Sequence, residues 1–157
     1  CLAVAYREFC INQIMRKKVE VKLYDKFAQQ WDTILVALEL DYKLWLAKIV
    51  EQPPTCLTNY KFEGSNKTTH DNLLKWRKEF LAHFDLGTLR NWGNFRMEKS
   101  LESDSIESFF GKIIEVADQY SERCQLSLDI KGLFRQIGEA ASSECDEWLK
   151  HFNQSKA

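Results

Sequence analysis

An arginine and a histidine six positions apart are the two residues of this chain best suited to do chemistry. Arg77 and His83 lie in a segment whose apolar side chains recur at helical spacing. A guanidinium stays charged at physiological pH and binds anions through a planar fork of donors, whereas an imidazole titrates near neutral pH. The pair therefore predicts a site that binds an anionic group and transfers a proton.

Arg77 falls in the middle of an apolar stripe when residues 71–85 are placed on a helix. The apolar side chains within about 60° of it are those of Leu73, Leu74, Phe80, Leu81 and Phe84. An unpaired guanidinium costs several kcal/mol to remove from water, so Arg77 needs a partner or a pocket. One interpretation is a structural ion pair with Glu39 or Asp41, and the other is a ligand site.

His83 lies about 120° around the same helix from Arg77 and roughly 9 Å along its axis. The two side chains do not meet on a straight helix. Either the helix loosens near His83, or a two-fold homodimer brings both copies of both residues together. His83 is also interpretable as an ordinary histidine favoured by a helix C-terminus, the class to which His70 and His151 are assigned.

Helices are the elements expected to position these residues. Apolar side chains recur at three- and four-residue steps over about 20–50, which predicts one long helix after a shorter one. Polar residues from Pro53 to His70 predict a loop. A helix over 71–84 follows, with Thr69 or Asp71 as its cap.

The last third of the chain continues in the same way. Ser103 or Asp104 can cap a fourth helix, and a final helix begins near Ile130 and reaches Phe152. We find no convincing strand, hairpin dipeptide or internal repeat in the sequence. The prediction is an all-α fold, an antiparallel bundle of four to five helices forming a single domain over residues 1–157.

The charge distribution places a phosphate ligand in the middle of the chain. The net charge of −1 excludes a polycationic nucleic-acid binder. Residues 61–99 carry 8 basic and 5 acidic side chains, however, whereas residues 100–157 carry 6 and 11. Phosphate binding requires local positive charge and not a high total.

Cysteine and histidine usage predicts neither a metal nor a cofactor. The five cysteines form no C-x-x-C pair, and the three histidines show no zinc-ligand spacing, so reduced thiols are expected. No apolar run is long enough for a membrane span, and no signal peptide is recognisable, which favours a cytoplasmic location. Because the chain begins at Cys1, a truncated N-terminus is compatible with the sequence.

The string Trp76-Arg77-Lys78-Glu79-Phe80-Leu81-Ala82-His83-Phe84-Asp85 resembles the R-x(4–6)-H signature of HEPN domains, particularly the AbiU-like abortive-infection branch. The predicted order of helices over most of the chain is similar to that family as well. Lys78 stands where many active members have Asn, Asp or His. No tyrosine follows His83 closely, so modification by a partner nucleotidyltransferase is not expected.

The resemblance implies a metal-independent RNA endonuclease of the toxin or phage-defence type. Arg77 and His83 would be catalytic, with Lys78 as a phosphate contact and Glu79 or Asp85 orienting the imidazole. Attack by the ribose 2′-OH would leave a 2′,3′-cyclic phosphate. A homodimer is expected, and an antitoxin or another regulatory protein is the further partner that the resemblance implies.

Several residues outside the motif are candidates for RNA binding. Lys75, Arg90 and Arg96 supply positive charge close to the motif. Aromatic rings among positive charges could also stack on and hold single-stranded RNA, and these residues are Tyr60, Lys61, Lys67, Arg90, Trp92 and Arg96. The alternative interpretation is that they are ordinary loop residues.

Two other functions remain open at this point. A non-catalytic HEPN module would bind RNA or a nucleotide, or would act as a dimerising scaffold, and Lys78 is compatible with it. A secreted helical bundle of the cytokine kind is allowed by the helix count, by Cys1 and by the glycosylation triplet Asn66-Lys67-Thr68. That last function requires paired cysteines.

Overall fold

The structure is a computed structural model that describes residues 1–22, 24–82, 101 and 103–154, with side chains over 1–18, 33–78, 101 and 103–151. This part of the chain contains five α-helices and no strand, which confirms the predicted all-α fold. The helices are α1 (Leu2–Lys22), α2 (Tyr24–Glu51), α3 (Gly64–Ala82), α4 (Ser103–Arg123) and α5 (Ile130–Gln154). None of these helices combines the length and the apolarity needed to cross a membrane.

The chain divides into two compact units. The first unit comprises Cys1–Trp45 with Ser127–Ala157, and the second comprises Leu46–Leu126. The first unit therefore contains α1, most of α2 and α5, whereas the second contains the end of α2 followed by α3 and α4.

The core of the first unit forms where α1 packs against α5 and the facing part of α2. Its fully or nearly fully buried members are Ile11, Met15, Leu35, Ala141 and Cys145. Burying side chains of this size contributes roughly 1.5–3 kcal/mol for each large aliphatic group. These contacts hold together helices that lie far apart in sequence.

The helices of the first unit do not all alternate in direction. The rings of Phe9 and Tyr42 meet edge to face, and Asn12 reaches the carbonyl of Leu35, so α1 and α2 are antiparallel. Tyr6 contacts Phe134, whereas Lys18 pairs with Asp146, so α1 and α5 run in the same direction. No short loop joins α1 to α5, and nothing therefore forces that pair to be antiparallel.

The second unit is built on the packing of α3 against α4. Its buried side chains include Leu73 and Trp76 from α3, and Phe109 and Phe110 from α4. Phe62, just before α3, contacts Phe109 with ring centroids 4.8 Å apart. The segment that leads into α3 is thus fixed to α4 by aromatic packing.

Helix α3 begins at Gly64, seven residues before the predicted start, so the prediction of a loop up to His70 is wrong. Neither Thr69 nor Asp71 is a cap, because both lie within the helix. The hydroxyl of Thr69 instead donates to the carbonyl of Ser65 at 3.1 Å and is satisfied inside the helix. Polar residues that indicate a loop in the sequence therefore occupy the first turns of α3.

The later boundaries agree with the sequence. Helix α4 begins at Ser103, one of the two predicted capping residues, and Asp104 lies in its first turn. Helix α5 begins at Ile130, where the carboxylate of Asp129 accepts the backbone N–H of Gly132 at 2.7 Å. A Cβ atom at Gly132 would meet that carboxylate, so a larger residue here would have to displace the Asp129 side chain from its capping position.

Candidate functional site

Arg77 lies at the edge of the buried face of α3 and not at its centre. Thr69, Leu73 and Trp76 are buried at 3%, 0% and 4% exposure and define that face, whereas the side chain of Arg77 is 23% exposed. The predicted apolar stripe around Arg77 also includes Phe80, Leu81 and Phe84, whose side chains lie outside the described set, so that position stays a prediction. The guanidinium has its stem packed and its head within reach of solvent.

The partner of Arg77 is Glu51, the last residue of α2, through an ion pair between Nη1 and Oε2. The predicted partners Glu39 and Asp41 are wrong, because Glu39 pairs with Arg16 and Lys43. The side chain of Glu51 is 40% exposed. Both side chains of this ion pair are partly exposed to water, which weakens the pair relative to a buried one.

Two further cations lie on α3 but not on the face of Arg77, since Lys78 is about 100° and Lys75 about 160° around the helix from it. Lys75 and Lys78 are exposed, and neither forms an ion pair with any side chain that the structure describes. Helix α3 carries four basic residues and two acidic ones. The excess positive charge of α3 is therefore spread around the helix and is not concentrated beside Arg77.

The remaining predicted site residues fall where the structure gives no position. The predicted catalytic His83, the predicted orienting residue Asp85 and the predicted RNA-binding Arg90 and Arg96 lie outside the described residues, as does Trp92. Glu79 lies on α3, but its side chain is outside the described set. Their proposed roles stay predictions.

His70 is the described histidine on the same face of α3 as Arg77, because seven residues make almost two full turns. Its Nδ1 atom lies 2.9 Å from Oδ1 of Asp71, and its ring lies 5.4 Å from that of Phe62. Two hydrogen bonds hold the pKa of Asp71 below its ordinary value. The one from His70 has the larger effect, and the one from Lys67 adds to it. His70 is therefore an oriented imidazole inside the helix and not a residue at a helix end.

The aromatic and basic residues before α3 have separate surroundings. Lys67 pairs with Asp71 at 3.0 Å within α3, and Lys61 is exposed. Tyr60 is half-buried and lines a cavity of about 510 Å³ between the segment after α2 and the end of α4. The sequence singled out Tyr60, but it gave no sign of the cavity.

A polar seam between α1 and α2 of the first unit was also missed. Glu39 accepts Nη2 of Arg16 and Nζ of Lys43, each at 2.6 Å. Nε of Arg16 donates to Asn12 at 3.0 Å, and the Asn12 amide donates to the carbonyl of Leu35 at 2.7 Å. The available signal was the spacing of Glu8, Asn12 and Arg16 at four-residue steps, which places all three on one face of α1.

Glu8 extends this seam on α1. The pKa of Glu8 is raised from 4.5 to about 7. Burial is the largest cause, and the hydrogen bond with Asp41 and the charge of Asp41 add to it. Its Oε2 atom is buried and has no hydrogen-bond partner. A second carboxylate close to a buried one favours the protonated form of Glu8, because two like charges repel.

The other reactive side chains show no assembled centre. All five cysteines are free, and burial raises the pKa of the Cys145 thiol to about 11. Within the described residues, no group of three His, Cys, Asp or Glu side chains has an arrangement that could hold a metal ion. The two chemically distinct features are thus the Arg77 site of the second unit and the polar seam of the first.

Comparison with known proteins found no relative of this chain. No protein-family model, no curated protein and no solved structure matches the chain.

Proposed function

We propose that this chain is a metal-independent RNA endonuclease of the HEPN toxin or phage-defence type, related to the AbiU-like branch. In this proposal Arg77 binds the scissile phosphate and His83 takes the proton from the attacking ribose 2′-OH. The support comes from the motif in the sequence and from the surroundings of Arg77. RNA is the substrate, and a homodimer is the working form.

The accessible ion pair between Arg77 and Glu51 is the observation that carries this proposal. Both side chains are partly exposed, at 23% and 40%. A phosphate offers the same bidentate geometry as a carboxylate and carries comparable charge, so it can take the place of Glu51 on the guanidinium. Lys75 and Lys78 add positive charge on the same helix, with Lys78 as a second phosphate contact.

The reaction requires no group beyond these side chains and water. His83 takes the 2′-OH proton, the 2′ oxygen bonds to phosphorus, and the bond to the 5′ oxygen breaks. Water protonates the leaving 5′ oxygen, the hydroxide that remains takes the proton from His83, and the product is a 2′,3′-cyclic phosphate. Arg77 stabilises the charge that grows on the phosphate oxygens, an effect worth roughly 3–4 kcal/mol for comparable donors.

Dimer formation accounts for the distance between the two catalytic residues. On a straight helix His83 lies about 120° from Arg77 and roughly 9 Å along the axis, too far for both to hold one phosphate. A two-fold axis near the end of α3 would place His83 of one protomer beside Arg77 of the other. Sedimentation at cleavage concentrations tests this, and a monomer that cleaves RNA would contradict it.

The test of this function is cleavage of an end-labelled RNA pool in EDTA, followed by analysis of the product ends. We expect the wild-type chain to leave cyclic-phosphate ends. His83→Ala and Arg77→Ala should each lose at least about 100-fold in rate, the usual loss on removing a catalytic acid–base group or charge-stabilising donor.

His70→Ala is the matched control, since it removes the other imidazole of this helix. We expect it to cleave within a few-fold of the wild type. If His70→Ala lost RNA cleavage and His83→Ala kept it, His70 and not His83 would be the residue that takes the 2′-OH proton. No cleavage by any chain, with the dimer confirmed, would reject the nuclease.

A non-catalytic module that binds RNA or a nucleotide is the second candidate. The observation in its favour is the ion pair itself, because Glu51 gives Arg77 a structural partner. In that case RNA binds without being cut, and Arg77→Ala lowers stability together with RNA affinity. Thermal unfolding of Arg77→Ala beside the cleavage assay separates the two candidates.

A further inference from the structure

A cavity of about 510 Å³ lies in the second unit, away from the Arg77–Glu51 pair. One wall is the segment that follows α2, with Thr55, Asn59 and Tyr60, and the other is the last part of α4. Sites for small molecules typically measure roughly 300–1,000 Å³. The cavity therefore has the size of a site for a single nucleotide or a comparable ligand.

The walls combine flat apolar surface with amide groups. Tyr60 and Tyr120 contribute aromatic rings, and the buried Val116 contributes apolar surface. The amide of Asn59 makes no side-chain hydrogen bond within the described chain, and Nε2 of Gln119 donates to Glu115, which leaves its oxygen as an acceptor. Rings that can stack, beside amides that offer both donors and acceptors, suit the face and the edge of a nucleobase.

The charge of the cavity is positive. Arg123 is the charged residue among those that line it, and no carboxylate does so. Nε of Arg123 donates to the carbonyl of Gln119, and the guanidinium meets no carboxylate within the described part of the chain. Lys112, whose Nζ lies 5.9 Å from the centroid of the Tyr60 ring, pairs with Glu115 at 2.8 Å and adds no net charge. A ligand with an anionic group is favoured over a cation.

Packing connects this cavity to α3. Tyr60 and His70 flank Phe62, with ring centroids 5.1 Å and 5.4 Å from that of Phe62. His70 lies on the same face of α3 as Arg77. Thr55 in the cavity wall also follows Glu51 by four residues, a span of at most about 14 Å. One short single strand can therefore reach both Arg77 and the cavity.

We propose that this cavity binds an unpaired base of the RNA, stacked against Tyr60 and Tyr120, with the attached phosphate on Arg123. This specificity site rests on the proposed function for the identity of its ligand. The Arg77 site and the cavity then select a single strand, because a paired base cannot enter. Asn59 and Gln119 read the edge of the base.

Calorimetric titration with uridine 5′-monophosphate and adenosine 5′-monophosphate tests the cavity without any cleavage. We expect at least one of them to bind, with Arg123→Gln weakening affinity about tenfold through loss of a charge-assisted hydrogen bond. Asn59→Ala should weaken it about threefold and change the ratio of the two affinities. Arg135→Gln, an exposed arginine on α5, is the matched control and should leave both unchanged.

Arg123 and Asn59 are exposed, so both variants are expected to fold, and circular dichroism confirms it. Failure of both nucleotides to bind at millimolar concentration would overturn the proposal. Equal binding by Arg123→Gln, Asn59→Ala and Arg135→Gln would overturn it as well. Nucleotide binding without RNA cleavage would support the cavity as a binding site and reject the nuclease function. RNA cleavage without nucleotide binding would support the nuclease function and reject the cavity as a binding site.

Discussion

Two of the arginine–glutamate pairs in the described part of the chain, Arg16–Glu39 of the first unit and Arg77–Glu51 of the second, have different surroundings. In the first unit Glu39 is 13% exposed and is held by Arg16 and by Lys43, whose side chain is 3% exposed. In the second unit the Arg77–Glu51 pair has 23% and 40% exposure and is open to water. Because the side chain of Arg16 is itself 30% exposed, the two pairs differ in the burial of the carboxylate and not of the arginine.

This difference in carboxylate burial predicts different costs of removing Glu39 and Glu51. Removing Glu39 would leave Lys43 buried close to Arg16 without this carboxylate, a loss that typically costs several kcal/mol. Removing Glu51 leaves Arg77 partly hydrated, and exposed pairs contribute about 1 kcal/mol or less. In the proposed function, a phosphate would therefore displace the more exposed of the two carboxylates, that of Glu51.

The largest expected effect is on the free energy of unfolding of Glu39→Gln. We expect a loss of about 3 kcal/mol, because the substitution leaves two cations of the seam without their shared carboxylate. Glu51→Gln should lose about 1 kcal/mol or less. Urea denaturation followed by circular dichroism measures both, with the exposed Glu147→Gln of α5 as control. Equal losses in Glu39→Gln and Glu51→Gln would remove the distinction between the pairs.

A smaller effect is expected from Glu8, and it depends on pH. The pKa of Glu8 rises from 4.5 to about 7 in the folded chain, so folding takes up a proton between these values. Its contribution to stability is therefore complete below about pH 4.5 and is lost as the pH rises through 7. Above that, ionised Glu8 and Asp41 repel each other.

Glu8→Gln removes this dependence, because glutamine does not ionise. At about pH 8 we expect the variant to exceed the wild type in unfolding free energy by on the order of 1 kcal/mol, after allowance for solvent screening of a partly exposed group. At about pH 4 the advantage should disappear. Urea denaturation at the two pH values measures it, and parallel curves for the two chains would contradict the assignment.

The smallest effect on stability is expected for Arg77→Ala. The guanidinium is partly hydrated and its ion pair is accessible, so the loss of unfolding free energy should stay within about 1 kcal/mol. Arg16→Ala should lose about twice as much or more, because Arg16 bonds to both Asn12 and Glu39. A larger loss in Arg77→Ala than in Arg16→Ala would make Arg77 a structural residue.

Helix class and most boundaries were predictable because α2, α4 and α5 each bury one apolar face, and one face produces a regular period. Helix α1 is shorter than α2, as predicted, but its polar Glu8, Asn12 and Arg16 recur on one face, which weakened the apolar period that would have given its bounds. The first turns of α3 were predicted as a loop because their residues are polar. In the helix, the threonine hydroxyls of these turns donate to backbone carbonyls and are satisfied there.

The site was predictable only in part, for reasons of distance along the chain. Helical periodicity in the sequence identified Arg77 as a charged residue beside apolar ones. Its partner depends on where α2 ends, which the sequence did not show. The sequence therefore pointed to Glu39 and Asp41 instead of Glu51. The cavity joins residues 55–60 to residues 116–124. No local pattern reports a contact between segments so far apart.

The most direct test of the exchange of Glu51 for phosphate is the affinity for single-stranded RNA, measured by fluorescence anisotropy in a His83→Ala background. Adding Glu51→Gln should tighten binding by about threefold, because the carboxylate no longer competes for Arg77. Glu63→Gln removes the same charge from an exposed residue with no ion pair in the described chain, and it controls for general electrostatics. Binding by Glu51→Gln no tighter than by Glu63→Gln would contradict the account.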